Sequence, residues 1–192
     1  MNTIKNNIKS EIIIKNSRFI CHLYKINNQE NISTILNNIK EEYKDATHYC
    51  YAYILDNSKK SSDDGEPGGT AGIPILQVLE KNNLNYILAI VIRYFGGIKL
   101  GAGGLVRAYT KSVTNTIIKE NITELIKGYN IDITFSYNNI KNIDYLLKDI
   151  KINKKEFDSI IKYNIDIEES FLKILIDNKI EYSINKEIYI EK

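Results

Sequence analysis

Residues 86–107 read YILAIVIRYFGGIKLGAGGLVR, and this run determines how the first part of the chain is built. Its first seven residues are apolar on both faces of an extended strand, a pattern that predicts a central strand covered on both sides. The glycines of residues 95–104 predict a loop, and a helix follows over residues 105–119. The predicted core face of that helix repeats at helical spacing and comprises Leu105, Ala108, Tyr109, Ser112, Val113 and Thr116.

The composition of the chain is that of a folded protein with a sizeable core. Of its 192 residues, 43% are hydrophobic and 26% are charged, which argues against disorder. The longest apolar run is far shorter than the roughly 20 residues that a membrane span needs, and residues 1–20 lack the apolar stretch of a signal peptide. Two cysteines support neither a disulfide scaffold nor a four-cysteine zinc site. We therefore expect a soluble, cytoplasmic protein.

Glycine, proline and arginine are concentrated in residues 63–107. Nine of the ten glycines, both prolines and two of the three arginines lie there. Glycine and proline mark backbone conformations that other residues adopt only at a cost, and arginine offers a rigid, planar donor group that lysine lacks. We interpret this segment as specified by chemistry and the remainder as specified mainly by core packing. The net charge is only +2, so nucleic-acid binding would need a local patch.

Hydrophobic periodicity also predicts the elements before the central strand. Residues 56–72 are polar and glycine-rich and predict a long loop, after which Pro74 stands in the first turn of a helix, where its missing N–H is harmless. The other predicted elements are strands at residues 8–14, 17–26 and 48–55 and helices at residues 32–43 and 73–81.

We predict two domains, residues 1–127 and residues 128–192. Gly128 is interpreted as closing a helical stretch before an alternating segment, which predicts a strand over residues 131–137. The second domain then reads strand, helix, strand, strand, helix, strand, which is the βαββαβ order of a ferredoxin-like domain. It is slightly acidic, with 12 Asp and Glu against 10 Lys.

The glycine loop is the strongest candidate for chemistry. Glycines can turn several N–H groups in one direction, and the N-terminus of the next helix adds unpaired N–H groups and a partial positive charge, which together suit a phosphate. The loop matches neither the Walker A pattern nor the Rossmann fingerprint. The alternative, that the glycines only allow close packing of strand and helix, stays open. The predicted phosphate- or nucleic-acid-binding residues are Arg93, Gly96, Gly97, Lys99, Gly101, Gly103, Gly104, Arg107 and Lys111.

The segment 61–74, SSDDGEPGGTAGIP, is a second candidate site. Asp63, Asp64 and Glu66 could coordinate Mg²⁺, which prefers a few carboxylates together with water and substrate phosphates, although the spacing is not that of a calcium loop. Asp-Gly and Pro-Gly also form turns readily, so we favour a structured turn and predict no metal site. Thr70 could cap the following helix or touch a ligand.

His48 and Cys50 stand two apart on a predicted strand, so their side chains point to the same face. A Cys–His nucleophile or a zinc site would use such a pair. Cys21 and His22 point to opposite faces of their own strand, which does not allow a four-ligand cage. A buried cysteine is usually a small apolar residue, so we favour that interpretation and predict no catalytic residue.

Two long strings identify a family. SSDDGEPGGTAGIPIL and RYFGGIKLGAGGLVRAYTKSV resemble the IMPACT/YigZ family very closely, and SRFIC and ATHYCYAY follow its pattern as well. The resemblance is to the shorter bacterial form, which lacks the N-terminal extension of the eukaryotic members, so their kinase-regulating role is not carried over.

The resemblance implies an α+β fold with two domains. The first would be an α/β sandwich like the second domain of small-subunit ribosomal protein five, and the second would be a ferredoxin-like domain resembling a domain of elongation factor G. The resemblance also implies regulation linked to translation or RNA, without an assigned reaction.

Three functions stay open from the sequence. The first is a module that binds RNA or the ribosome through the glycine loop and its cations. The second is an enzyme or nucleotide-binding protein that acts on a phosphorylated small molecule, with the acidic loop near the site. The third is a regulator that binds a protein partner through the same surface. No nucleophile, base and orienting group can be assembled, so we expect a non-enzymatic regulator without a cofactor and choose the first function narrowly over the third. The oligomeric state is left open.

Overall fold

Hydrophobic periodicity sorts the chain into ten strands and five α-helices in the computed structural model, which describes residues 1–192. In chain order these are β1 (Asn2–Ile4), β2 (Ile8–Ile14), β3 (Ser17–Lys25), α1 (Glu30–Glu42), β4 (His48–Leu55), β5 (Ser58–Ser62), α2 (Gly72–Lys81), β6 (Ile87–Tyr94), α3 (Ala102–Thr116), β7 (Ile122–Phe135), α4 (Ile140–Leu146), β8 (Ile152–Phe157), β9 (Ile161–Glu168), α5 (Phe171–Asp177) and β10 (Glu181–Glu191). The chain forms two compact units, Met1–Glu124 and Leu125–Lys192.

The central strand of the first unit is β6, as the sequence predicts. It lies third in an antiparallel sheet of order β2–β3–β6–β4–β5. Leu88, Ile90 and Ile92 share a buried cluster with α1, whereas Ala89 and Val91 share one with α2 and α3. Helices therefore cover the sheet on both faces, which explains why the strand shows no alternation of apolar and polar residues.

Helix α3 begins three residues earlier than the sequence predicts, at Ala102. Gly103 and Gly104 thus belong to its first turn and not to the loop. The six residues of its predicted core face are all buried against the sheet, so that prediction is confirmed.

The long loop predicted for residues 56–72 is wrong in its first part, because Ser58–Ser62 form strand β5. This strand pairs only with β4 and is the edge of the sheet. Its side chains are exposed or half-buried, so its sequence SKKSS carries no alternating apolar signal. An edge strand of this kind is defined by its partner and not by its own pattern.

In the second unit the elements follow the order βαββαβ, with the last part of β7 as the first strand. Its sheet has the order β10–β7–β9–β8, and all neighbours are antiparallel. Ile131, Ile133, Ile165 and Ile167 from the two middle strands form its core with Leu175 of α5. The predicted α+β class is confirmed for the chain, while the likeness to domains of ribosomal protein five and elongation factor G stays a prediction.

Gly128 does not close a helix, contrary to the sequence-based interpretation, because it lies inside the 14-residue strand β7. A Cβ atom at this position would lie 2.4 Å from the carbonyl oxygen of Ile167 and 2.7 Å from the side chain of Ile190. The backbone of β9 thus approaches too closely for any side chain, and the side chain of Ile190 on β10 fills the remaining space. A glycine inside a strand marks this kind of close approach, and the strand starts nine residues before the predicted residue 131.

None of the helices combines the length and the apolar composition that crossing a bilayer requires.

Candidate functional site

A cavity of about 460 Å³ lies where β6 leaves the sheet and α3 begins. Both glycine-rich segments of the sequence contribute to it, the first through Glu66 and Pro67 and the second through residues 99–102. His48 and Arg93 complete its polar wall. The two segments that the sequence singles out, some 30 residues apart, are therefore parts of one site.

The floor of the cavity is a buried ion pair. Nη1 of Arg93 donates a hydrogen bond of 2.6 Å to Oε1 of Glu66, and the two side chains are only 6% and 3% exposed. The hydroxyl of Tyr109 donates to the same carboxylate oxygen at 2.8 Å. The guanidinium also lies 5.4 Å from the ring centre of Phe19 and 5.5 Å from that of Phe95. Because desolvation of two charges offsets much of their attraction, a buried pair of this kind contributes little net stability.

His48 faces the free side of the same carboxylate. Strand pairing places it directly opposite Arg93. Its Nδ1 donates a hydrogen bond of 2.8 Å to the backbone carbonyl of Asp64, which fixes the tautomer of the neutral ring. Nε2 then points at Oε2 of Glu66 across 3.8 Å. The imidazole and the carboxylate therefore stand side by side without a direct hydrogen bond.

The acidic loop is held by its own backbone. Asp63 accepts hydrogen bonds from the N–H groups of Gly69, Ala71 and Gly72 at 2.8–2.9 Å. Burial raises the pKa of Asp63, but these three hydrogen bonds outweigh it, and the pKa lies below its usual value. Asp64 accepts from the N–H of Tyr49 at 2.7 Å.

These contacts give the acidic loop a structural role. The hydroxyl of Thr70 donates to the carbonyl of Pro67 at 2.7 Å, and Glu66 belongs to the buried ion pair. No group of three or more His, Cys, Asp or Glu side chains is placed to hold a metal ion.

Cys50 is buried beneath this loop and does not pair with His48. Its thiol donates to the carbonyl of Asp63 at 2.9 Å and lies 3.3 Å from the hydroxyl of Tyr109. Burial raises the pKa of Cys50 to about 12 and that of Cys21 likewise to about 12. Both thiols thus stay protonated at neutral pH, and a protonated thiol is a poor nucleophile and metal ligand.

The glycine loop connects the cavity to the start of α3. Gly96 passes the β2–β3 turn so closely that a Cβ atom would lie 2.0 Å from the carbonyl carbon of Asn16. At Gly97 and Gly101 the space around the missing side chain is open. The N–H groups of Ala102, Gly103 and Gly104 have no acceptor in the chain, and α3 has no side-chain cap. The loop therefore shows close packing at Gly96 and unpaired donors at the start of the helix, while phosphate binding stays a prediction.

Three of the predicted cations are exposed, with Lys99 just before α3 and Arg107 and Lys111 along the helix. Lys99, Arg107 and Lys111 take part in no ion pair. The guanidinium of Arg107 folds back to within 3.7 Å of the Cβ position of Gly103, so its charge lies over the first turn of α3. Arg93, in contrast, is buried inside the cavity and its charge is matched by Glu66.

Sequence analysis missed the part that Tyr109 and His48 play in this network. The sequence predicts Tyr109 only as a core residue of α3. No sequence pattern indicates that its hydroxyl donates a hydrogen bond to Glu66, which lies 43 residues earlier in the chain. His48 is considered only with Cys50, whereas its partner is Glu66. The register of β4 against β6, which sets His48 beside Arg93, is fixed by the folded sheet and gives no signal in the sequence.

A larger cavity, of about 720 Å³, lies in the second unit, where α4 and the turn after α5 flank the end of β7. Its wall is a mixture of apolar, aromatic, hydroxyl and amide side chains, with only Lys179 and Glu181 charged. It contains no buried charge pair, and it does not include any of the residues that the sequence singles out. The cavity beside Arg93 is therefore the better candidate for a functional site.

The first unit belongs to the class of α+β domains in which helices cover both faces of one antiparallel sheet. Comparison with known proteins narrows this class to one family. The family model of the Impact N-terminal domain matches residues 15–117, and the chain belongs to the IMPACT/YigZ family.

Individual relatives agree with this assignment. The chain is 39% identical over 171 residues to the IMPACT family member YvyE of Bacillus subtilis, which covers 83% of the chain and 79% of the relative. It is 42% identical over 109 residues to the IMPACT family member YigZ of Escherichia coli, which covers 54% of the chain and 53% of the relative. A crystal structure of a hypothetical protein is similar over 96% of this chain and 97% of its own, with a TM-score of 0.64 and 27% identity.

Proposed function

We propose that this protein is a non-enzymatic regulator that binds RNA, on or near the ribosome, through the start of α3. Membership of the IMPACT/YigZ family fits a regulatory role. The observation that carries the proposal is the set of three exposed cations without carboxylate partners, Lys99, Arg107 and Lys111, which run from the uncapped N-terminus of α3 along the helix. Elsewhere several surface lysines are matched, as in the pairs Lys59–Glu80 and Lys162–Asp132.

The spacing of these groups suits a phosphate backbone. Arg107 and Lys111 are one turn apart on the exposed face of α3, about 6 Å along its axis. The free N–H groups of the first turn precede both cations along the helix and offer donors to a phosphate oxygen. A phosphate chain that follows this helix end therefore meets side-chain and backbone donors in succession.

Apolar side chains between the cations favour RNA with unpaired bases. Phe95 and Ile98 in the glycine loop are 47% and 46% exposed, and the exposed Val106 lies between Lys99 and Arg107 in the sequence. Exposed aromatic rings beside cations stack on the bases of single strands, because every base has a flat face. Phe95 is the ring that this mode of binding would use.

The salt dependence of RNA binding tests the proposal. The logarithm of the binding constant falls against the logarithm of salt concentration with a slope of about −0.7 per neutralised phosphate for single strands. Arg107→Ala with Lys111→Ala removes two such contacts, so the slope should flatten by about 1.4. The matched control is Lys44→Ala with Lys81→Ala, which removes two exposed, unpaired lysines from other parts of the first unit. Its slope should stay that of the wild type.

Co-sedimentation with ribosomes in lysate, with and without nuclease, separates RNA from protein partners. Association that is lost after nuclease treatment and weakened by the double alanine variant supports the proposal. Association that survives nuclease means that the surface binds a protein. Equal salt slopes for the wild type, the double alanine variant and the lysine control mean that Arg107 and Lys111 do not contact the RNA. Either of these results overturns RNA binding at α3.

A further inference from the structure

The cavity beside the Arg93–Glu66 pair contains two acceptor atoms that the chain leaves unused. Oε1 of Glu66 accepts from both Arg93 and Tyr109, but Oε2 accepts no hydrogen bond and has only Nε2 of His48 near it, at 3.8 Å. Because Nδ1 of His48 donates to a carbonyl, Nε2 of the neutral ring is an acceptor as well. The Glu66 side chain is only 3% exposed and lines the cavity, so Oε2 can be reached only from the cavity side.

Oε2 of Glu66 and Nε2 of His48, 3.8 Å apart, favour a ligand group that donates hydrogen bonds. They are too far apart to bind one another, and neither carries a proton to share while the ring is neutral. Because one hydroxyl group donates a single hydrogen bond, two neighbouring hydroxyl groups are needed to satisfy both atoms. A ligand part with hydroxyl groups therefore completes this wall.

The same cavity carries positive charge on other parts of its lining. Lys99 and the first helical residue, Ala102, border it, and the helix start adds unpaired N–H groups. Nε of Arg93 is buried without a hydrogen-bond partner, although the Arg93 side chain lines the cavity. An anionic group is the ligand part that this lining favours.

We propose that the cavity binds a small phosphate monoester with neighbouring hydroxyl groups. The phosphate lies at Lys99 and the start of α3, and the hydroxyl groups lie between His48 and Glu66. Phe95, Leu100 and Leu105 form the apolar part of the wall. A volume of about 460 Å³ is within the roughly 300–1,000 Å³ range of small-molecule sites. A sugar phosphate and a nucleoside monophosphate share this chemistry. The proposal does not rest on RNA binding.

Isothermal titration of the full chain with three probes tests the proposal. The probes are ribose 5-phosphate, adenosine 5′-monophosphate and ribose without phosphate. Ribose 5-phosphate or adenosine monophosphate should bind saturably with one site per chain, and ribose should bind at least tenfold more weakly. A preference for the nucleotide identifies a base on the apolar wall, and a preference for ribose 5-phosphate identifies a sugar phosphate; both support the site.

Two variants locate the ligand in the cavity. His48→Leu removes one acceptor and should weaken the better probe about tenfold, while inorganic phosphate binding stays unchanged. Lys99→Met should weaken both the better probe and inorganic phosphate. Glu66→Gln is a poorer test because it leaves the buried Arg93 unpaired and can unfold the unit.

The double variant Arg107→Ala with Lys111→Ala separates this proposal from RNA binding, since neither residue lines the cavity. It should bind the better probe as the wild type does, whereas His48→Leu should bind RNA as the wild type does. No saturable binding of either phosphorylated probe, or equal affinity for wild type, His48→Leu and Lys99→Met, overturns the proposal. Because both proposals use Lys99, Phe95 and the start of α3, the Arg107→Ala with Lys111→Ala variant and His48→Leu are the proteins that distinguish their outcomes.

Discussion

Replacement of Asp63 by asparagine should destabilise the first unit, because its carboxylate orders the turn before α2. Oδ1 accepts from the N–H groups of Ala71 and Gly72, and Oδ2 accepts from that of Gly69. Asparagine keeps one acceptor oxygen, so its NH₂ group would face the N–H of Gly69. Hydrogen bonds to charged groups contribute about 1.5–3 kcal/mol each, which gives a loss of about 2 kcal/mol for Asp63→Asn. Asp63→Ala also leaves two N–H groups of buried residues unpaired and should cost about 4 kcal/mol.

Urea unfolding followed by circular dichroism measures these losses as shifts of the midpoint. The control is Asp64→Asn, because Asp64 accepts a single backbone hydrogen bond that an asparagine oxygen can still accept. It should cost less than about 1 kcal/mol. If Asp63→Asn unfolds at the same urea concentration as the wild type, the structural role of the carboxylate is refuted. Stabilisation of the wild type by Mg²⁺ that disappears in Asp63→Asn would indicate a metal-binding role instead.

The difference in unfolding free energy between wild type and Asp63→Asn should depend on pH, and this dependence tests the role of the Asp63 charge. Its folded pKa lies below the ordinary value of 3.8, so the carboxylate stabilises the fold fully above that value and progressively less as pH falls through the folded pKa. The gap in stability between wild type and Asp63→Asn should therefore be complete at neutral pH and shrink in acid. A gap that stays constant down to about pH 3 would contradict a role for the charge.

Three further substitutions or treatments probe the same unit. Gly96→Ala places a Cβ atom 2.0 Å from the backbone of the β2–β3 turn and should cost about 3 kcal/mol or more; a thermal midpoint like that of the wild type would contradict this packing. Tyr109→Phe removes the hydroxyl that donates to Glu66 and should cost about 1–2 kcal/mol in urea unfolding, and an unchanged midpoint would show that the carboxylate does not need it. Cys21 and Cys50, each buried with a pKa raised to about 12, should resist thiol reagents at pH 8 in the native protein and react in urea. Rapid labelling of the native protein would argue against their burial.

The elements that sequence predicts well are those whose own pattern reflects their surroundings. The apolar run that forms β6 and the core face of α3 each record a buried face in consecutive residues, so both were predictable. Strand β5 was not, because its polar side chains form a ladder only through β4. The break at Gly128 was misread since a helix end and a close strand approach both select glycine.

The candidate site was predictable only in outline. Clustered glycines and arginines locate the two loops in the sequence, but no local pattern indicates that Glu66 closes on Arg93. That contact depends on how the turn after Asp63 folds and on the pairing of β4 with β6, both of which are set by tertiary structure. Consequently the sequence assigns Arg93 to an open phosphate contact, whereas the structure places it in a buried pair.

The pairing of strand β1 has a consequence for folding during synthesis. Its residues Asn2–Ile4 pair with Ile122–Glu124 at the start of β7, so the first residues to leave the ribosome wait for partners that are synthesised much later. At about 5–20 residues per second this delay lasts roughly 6–24 s. During it Ile4, which is 1% exposed in the finished protein, has no strand partner to cover it. A nascent chain that stalls before Ile122 thus has backbone partners for Asn2, at Asn83 and Asn85, but no strand to pair with Ile4, which chaperones and proteases can then reach.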